Sequence, residues 1–161
     1  MTVEVRAAAK DEQAVIMTLL DQYLRELSHF REFAVGATNA AGYPHLQDYW
    51  SEPDRQPFTI WSHDELAGFA LVRRVSDEHG WVMQMAEFCI RPQYRRQGIG
   101  QTAAITLWKR FPGRWELQVM KGNRPAIRFW RNSIAAQAQV WHVDEIIADD
   151  GPRLFFHFEV R

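Results

Sequence analysis

Residues 87–100 read EFCIRPQYRRQGIG, and this stretch decides the fold. It begins inside an apolar, β-favouring run over residues 81–90 (WVMQMAEFCI) that stops before Pro92, a residue that cannot donate to a ladder. A short basic turn follows. From Gly98 to Phe111 the apolar residues Ile99, Ala103, Ile105, Leu107 and Trp108 recur at helical spacing, and Pro112-Gly113 ends the pattern. A strand therefore passes through a basic, glycine-containing turn straight into a helix. The first-turn N–H groups of a helix have no intrahelical partner and sit at the positive end of its dipole, so the turn is suited to an anion such as a pyrophosphate. Gly98 and Gly100 have no Cβ and let a ligand approach the backbone, while Arg95 and Arg96 add charge-assisted donors. The chain has no GxxxxGK[ST], and Gly98-x-Gly100 is followed by Ala103 where the dinucleotide fingerprint needs a third glycine.

Working outward, residues 3–8 alternate as a first strand, and Asp11 caps or enters a helix. Ile16, Leu19, Leu20, Tyr23, Leu24 and Leu27 mark an amphipathic helix of about five turns. Residues 36–44 read as loop and residues 46–50 as a short second helix. Residues 57–62 and 65–75 form a hairpin around His63-Asp64-Glu65, and residues 77–80 turn into the long strand already described. Beyond Pro112, residues 115–120 are a short buried strand. Asn123 opens a helix with Pro125 in its first turn, and residues 139–147 and 153–160 close the chain as a hairpin around Asp149-Asp150-Gly151-Pro152. The order is strand, helix, short helix, three strands, helix, strand, helix, two strands. That is a mixed α/β (α+β) architecture with a largely antiparallel central sheet.

The bulk properties agree. The chain has 161 residues, of which 47% are apolar and 13% aromatic, enough for one domain (1–161) with a core that needs no disulfide or metal. A net charge of −1 gives no reason to expect a nucleic-acid or membrane partner. Cys89 is the one cysteine, which excludes an intrachain disulfide and fits a reducing compartment. With no signal-like leader and no apolar run of about eighteen residues, a cytoplasmic protein is expected.

Arg95-x-x-Gly98-x-Gly100 after a strand resembles the [RQ]xxGx[GA] signature of the GNAT superfamily of N-acetyltransferases, and Asn123-x-x-Ala126-x-x-Phe129-Trp130 resembles the later NxxAxxxY helix of that family. The element order is similar from Val3 to Val160, and segments such as YLREL, GFALV and NRPAIRFWR look like a bacterial branch of the superfamily. The resemblance implies an acyl-CoA N-acyltransferase fold, a mostly antiparallel sheet of about seven strands with helices on both faces. It implies acetyl-CoA as cosubstrate, an amine acceptor, direct transfer in a ternary complex, and a homodimer as the default assembly. Residues 88–90 (Phe88, Cys89, Ile90) would flank the pantetheine arm. Arg95, Arg96, Gln97, Gly98, Ile99 and Gly100 would hold the pyrophosphate, and Asn123, Ala126, Phe129 and Trp130 would border the CoA arm. An N–H near Cys89 or Ile90 would receive the oxyanion. The chain departs from the pattern at Trp130, where the family often has a tyrosine that protonates the leaving thiolate. An indole cannot do that, which leaves solvent, Tyr94 or another residue.

Glu87 is the first choice for a general base, an acid in an apolar strand whose burial would raise its pKa; the alternative is a carboxylate facing solvent or paired with an arginine. Cys89 reads as an inert core thiol before it reads as a nucleophile, since no histidine is paired with it in the sequence. The six histidines show no HxxxH-type spacing, and no metal is expected; His45 is worth watching because it lies in the loop region that walls the acceptor site in this fold. Tyr43, Trp50 and Trp61, with Tyr49, either line an acceptor pocket or belong to the core. Arg124, Arg128 and Arg131 share a helix face that is solvated or meets the nucleotide. Three activities follow: acetyl transfer to a small-molecule amine, a non-catalytic CoA-binding or regulatory module, and a protein or peptide N-acetyltransferase. The absence of long extra segments favours the first.

Overall fold

The computed structural model describes residues 2–30 and 39–161, so part of the loop expected over residues 36–44 falls outside the described residues. Strand β1 (Val3–Ala7) leads through a 3-10 turn at Lys10–Glu12 into helix α1 (Gln13–Leu27). Asp11 lies within that turn and caps nothing; Glu12 instead reaches back to the Ala9 N–H at 2.8 Å. The helix is fifteen residues, nearer four turns than five. After short 3-10 turns at Ala40–Gly42 and Gln47–Trp50 come β2 (Arg55–Ser62), β3 (Glu65–Asp77) and β4 (Gly80–Ile90), then α2 (Ile99–Arg110), β5 (Gly113–Met120), α3 (Arg124–Gln137), β6 (Val140–Ala148) and β7 (Gly151–Val160). His63 and Asp64 both take positive φ (51° and 64°), the conformation of a two-residue hairpin turn built without glycine.

The seven strands form one sheet in the order β1-β2-β3-β4-β5-β7-β6. Every neighbouring pair is antiparallel except β4 and β5, which are joined by α2 as a parallel crossover. The crossover pair is in ladder register only at Met83↔Trp115 and Gln84↔Glu116. Beyond that point β4 follows β3 as far as Ile90, and β5 follows β7 as far as Met120, so the two strands splay apart.

Helices cover both faces. On one, α2 and α3 bury Ile99, Ala103, Ala104, Leu107, Trp108 and Ile134 against Phe58, Val72, Trp115 and Leu117. On the other, α1 lays Ile16, Leu19, Leu20 and Leu24 over Phe69 and Leu71. The closing strand does not form an apolar patch as its three phenylalanines suggest. Phe156 and Phe158 point into the α2/α3 core at 0% and 4% exposure, and only Phe155 lies half-buried on the opposite face.

Two irregularities shape β4. The register slips between Leu71 and Val72, so that Ala86 is the extra residue of a β-bulge and Glu87 comes opposite Leu71. The bulge turns Glu87 and Cys89 toward the α1 face while Phe88 and Ile90 stay with the α2/α3 core. The second is a close approach: a Cβ on Gly68 would lie 2.1 Å from the Cys89 carbonyl oxygen. Gly68→Ala must therefore push β3 and β4 apart. Such overpacking costs about 2–3 kcal/mol, and the expected result is a Tm lowered by roughly 5–10 °C in a calorimetric scan.

Candidate active site

The splay opens a cavity of about 1020 Å³ that runs from the α2 N-terminus, between β4 and β5, to the α1 face. Its first wall is the turn before α2. Arg96 (φ 62°) and Gly98 (φ 80°) are both left-handed, and Gly98 is the α2 N-cap with no side chain to satisfy the amides behind it. Alternating left-handed residues ahead of a helix turn successive N–H groups toward one concavity, a nest for an anion. Gln97 holds the turn through its side-chain amide to the Gln93 carbonyl at 3.2 Å.

The arginines divide differently from the sequence reading. Arg95 is committed: its Nε donates to the Ile90 carbonyl at 2.7 Å and its guanidinium pairs with Glu26 of α1 at 2.9 Å. It ties the turn to β4 and α1 while also lining the cavity. Arg96 and Arg128 line the cavity, and among the described residues neither is in an ion pair. Arg131 instead lies over the Phe156 ring, 5.8 Å from its centroid, and Arg124 is exposed outside the cavity wall.

The glycines also differ in role. Gly98 supplies the left-handed turn. Gly100 also lines the cavity, and a Cβ there would come within 3.0 Å of Phe129 and 3.3 Å of Ile90, so its smallness serves α2–α3 packing as well. Ile99, 1% exposed, is core, and neither Ile99 nor Gln97 lines the cavity with its side chain.

The second wall is α3. Asn123, Ala126, Phe129 and Trp130 all line the cavity. Asn123 caps the helix, its Oδ1 accepting the Ala126 N–H at 3.3 Å. Trp130 is 7% exposed and packs edge-on to Phe88 at 5.1 Å and Phe129 at 4.7 Å. It fills space that a tyrosine would share with a hydroxyl.

The third wall is the α1 side. Glu87, Cys89, Tyr23 and Tyr43 face the cavity there, with Arg153 and Phe155 of β7 across from them. The Tyr43 hydroxyl donates to Glu87 Oε2 at 3.2 Å. Burial first, and then the nearby Glu87 carboxylate, hold the Tyr23 and Tyr43 hydroxyls well above the usual phenol range, so both stay neutral donors. Arg153 is itself held by Asp150 through two bonds, of 3.0 and 2.6 Å. Tyr23, Arg153 and Phe155 had no signal beyond ordinary helix and strand periodicity. Only the bulge, which aims Glu87 at α1, brings them into one group.

Three expected residues are elsewhere. Trp50 turns its indole N–H to the Ala8 and Ala9 carbonyls at 3.1 Å, and Trp61 bonds Thr59 at 2.8 Å under Arg6 on β2, at the far side of the sheet; neither lines the cavity. Tyr94 is also outside it, donating to Glu65 at 2.7 Å, which removes it as a donor to a leaving group in the cleft. His45 borders a separate hollow of about 240 Å³ and pairs with Asp48 at 2.8 Å.

Burial pushes the Cys89 thiol up to about 11, against the opposing pull of Arg95. At pH 8 roughly one such thiol in a thousand is ionised, against about a quarter of free cysteine. Iodoacetamide should therefore alkylate Cys89 about a hundredfold more slowly than free cysteine, followed by mass spectrometry; a rate equal to that of free cysteine would refute the buried-thiol account. Thiolates, not thiols, attack thioesters, so this environment argues against an acyl-cysteine route.

With the splayed strands, the anion nest and the asparagine-capped helix in place, comparison with known proteins identifies the class. The acetyltransferase (GNAT) family model matches residues 19–133, which spans α1 to α3, and the chain belongs to that family. A GNAT-family acetyltransferase of Streptococcus agalactiae superposes with a TM-score of 0.71 at 16% identity, covering 99% of this chain and 95% of that one. The aminoglycoside acetyltransferase AAC(6')-Ib, solved with coenzyme A, gives 0.68 at 16% identity over 99% and 95% of the two chains. NAA60 of Arabidopsis thaliana, solved with a bisubstrate analogue, gives 0.66 at 16% identity over 99% and 100%. At these identities the likeness is one of fold. The comparison with curated proteins finds no significant match. Among the described residues no helix is long and apolar enough to cross a membrane.

Proposed function

We propose that this protein is an acetyl-CoA-dependent N-acetyltransferase that acetylates a primary amine of a small molecule by direct transfer, with Glu87 as general base. The observation that carries the reading is the parting of β4 from β5 after Gln84, beside a nest of amides at one end and Glu87 at the other. Residues 85–90 of β4 and 117–120 of β5 face each other without pairing. An extended chain bearing amides fits between such edges, because their backbone groups need partners.

The donor fits this setting in charge and shape. The pyrophosphate would take the amides of the turn at Gly98, with Arg96 and Arg128 as its cations, and the pantetheine arm would follow residues 88–90 past Asn123 and Phe129. Bound there, acetyl-CoA supplies a thioester as electrophile. The acceptor nitrogen forms the new C–N bond as the C–S bond breaks, and its proton passes to Glu87 directly or through water. The N–H of Cys89 or Ile90 is the proposed oxyanion donor. With Trp130 unable to donate a proton, the phenols of the cavity are Tyr23 and Tyr43; both are held weakly acidic, so the leaving thiolate takes its proton from solvent.

The acceptor side joins a carboxylate, two phenols, Phe155 and Arg153; Asp150 balances the Arg153 charge, which leaves Glu87 and the aromatic faces to favour a protonated amine on arrival. A cytoplasmic setting, where acetyl-CoA is made and Cys89 stays reduced, suits this reading. The test is release of CoA thiol from acetyl-CoA against a panel of alkyl amines, arylalkylamines, aminoglycosides and peptide N-termini. Release dependent on a small amine supports the proposal. Release with peptides alone moves the acceptor to proteins, and tight CoA binding with no turnover makes the chain a binding module.

A further inference from the structure

The β5, β7 and β6 strands carry a polar row on the α1-side face, beyond the part of the sheet that α1 covers. Gln84, Glu116, His157 and His142 stand side by side in direct register across β4, β5, β7 and β6. The Gln84 side-chain amide donates to Glu116 at 2.6 Å. The His142 and His157 rings stack with centroids 4.6 Å apart and an interplanar angle of 14°. Phe155 stacks on the His157 ring at 4.2 Å. Asp144, two residues from His142, falls on the same face by strand alternation. Its Oδ2 is 3.6 Å from Nε2 of His142 and 3.3 Å from Nε2 of His157.

We propose that His142, Asp144 and His157 bind one divalent transition-metal ion of the zinc type, with the remaining coordination positions open to water. The donor set is the reason for the class: two imidazoles and a carboxylate suit Zn²⁺, Co²⁺ or Ni²⁺, whereas Mg²⁺ and Ca²⁺ want all-oxygen shells. Ligand atoms bound at about 2.0–2.2 Å in a tetrahedron lie roughly 3.3–3.6 Å from one another; Asp144 Oδ2 already stands at 3.6 and 3.3 Å from the two Nε2 atoms, and the three donors lie within 4.8 Å of each other. The two imidazoles, nearly parallel in their stack, must turn on their side-chain torsions so that both in-plane lone pairs meet at the ion. The ligands stand on a hydrogen-bonded hairpin rather than on loops, so binding orders little chain. Two of them stand on β6, the outermost strand, and the third on β7, so the ion clips an edge strand to its neighbour. The side chains of His142 and Asp144 are 64% and 60% exposed, which leaves the ion accessible from solvent. HxxxH is a helical signature and so misses this set; a strand puts ligands together at i, i+2 and across the ladder.

The inference does not depend on acyl transfer and is tested without activity. Tag-free protein, stripped with a chelator, is titrated with Zn²⁺ in competition with a chromophoric chelator, and its Tm is followed. Expected are one equivalent bound with a Kd in the micromolar range or tighter, and a rise in Tm of roughly 5 °C at a hundredfold excess over Kd. His142→Ala and Asp144→Asn, both at exposed positions, should keep the apo Tm and lose affinity about a hundredfold, while His79→Ala in the β3–β4 turn should bind as wild type. A Co²⁺ visible spectrum with imidazole–carboxylate character, absent in His142→Ala, would add support. No saturable binding below millimolar Zn²⁺, or binding that survives His142→Ala, would overturn the proposal.

Discussion

Glu87→Gln should lower kcat for amine acetylation by roughly a hundred- to a thousandfold at pH 7.5, with the KM for acetyl-CoA unchanged. General-base contributions fall in the range of about 10²–10⁴. The substitution keeps size and polarity, and Tyr43 can still donate to the amide oxygen that replaces Oε2, so the Tm is expected to stay within a few degrees of wild type. The residual rate carries a signature. An alkyl amine with a pKa near 10.4 is mostly protonated at neutral pH, so without a base the rate follows the free-amine fraction, rising about tenfold per pH unit toward that value. Wild type should show a flatter profile. A variant within twofold of wild type across pH 6–9 would remove Glu87 from the chemistry and leave it as a partner of the tyrosines.

Gly98→Trp should raise the KM for acetyl-CoA a hundredfold or more. Two effects combine. The favourable interaction of an anion with a helix N-terminus reaches about 2 kcal/mol, or roughly thirtyfold in affinity, and an indole at the N-cap stands across those amides. In addition, φ at Gly98 is 80°, where a side chain adds about 1–2 kcal/mol of strain; a turn that relaxes this strain loses the nest, and restoring it on binding costs affinity roughly another five- to thirtyfold. The strain alone lowers the Tm by only a few degrees, and Gly98 is exposed. A large loss of affinity with a nearly unchanged Tm therefore separates a blocked site from a damaged fold. Glu87→Gln and Gly98→Trp act at opposite ends of the cleft, and their effects should fall separately on kcat and on the acetyl-CoA KM.

Punctuation and period made much of this legible before any coordinates. Pro92, Gly98 and Pro112-Gly113 bracket the strand–turn–helix, and the alternation on either side of His63-Asp64 and Asp149-Asp150 predicts the hairpins that form there. What period cannot carry is register. Ala86 is one extra residue in β4, invisible as such in the string, yet it decides which face Glu87 and Cys89 take. Nor does local pattern show distant pairing. Arg95 sits in the signature as an anion donor, but Glu26 on α1 claims its guanidinium, and Ile90 claims its Nε. Trp50 and Trp61 are aromatic residues near the right stretch of chain, and their indole N–H groups find partners just after β1 and within β2 instead. His142 and His157 become neighbours through the register of the β6–β7 hairpin, which sets Ile147 opposite Pro152.

The most direct test of the central claim is a calorimetric titration of acetyl-CoA into the wild-type protein, with Gly98→Trp beside it. If the cleft between β4 and β5 is the donor site, wild type binds one equivalent and Gly98→Trp binds at least about a hundredfold more weakly at a nearly unchanged Tm. If wild type shows no binding at millimolar acetyl-CoA, or if Gly98→Trp binds as tightly as wild type, the turn at Gly98 is not the pyrophosphate site and the account fails at its first step.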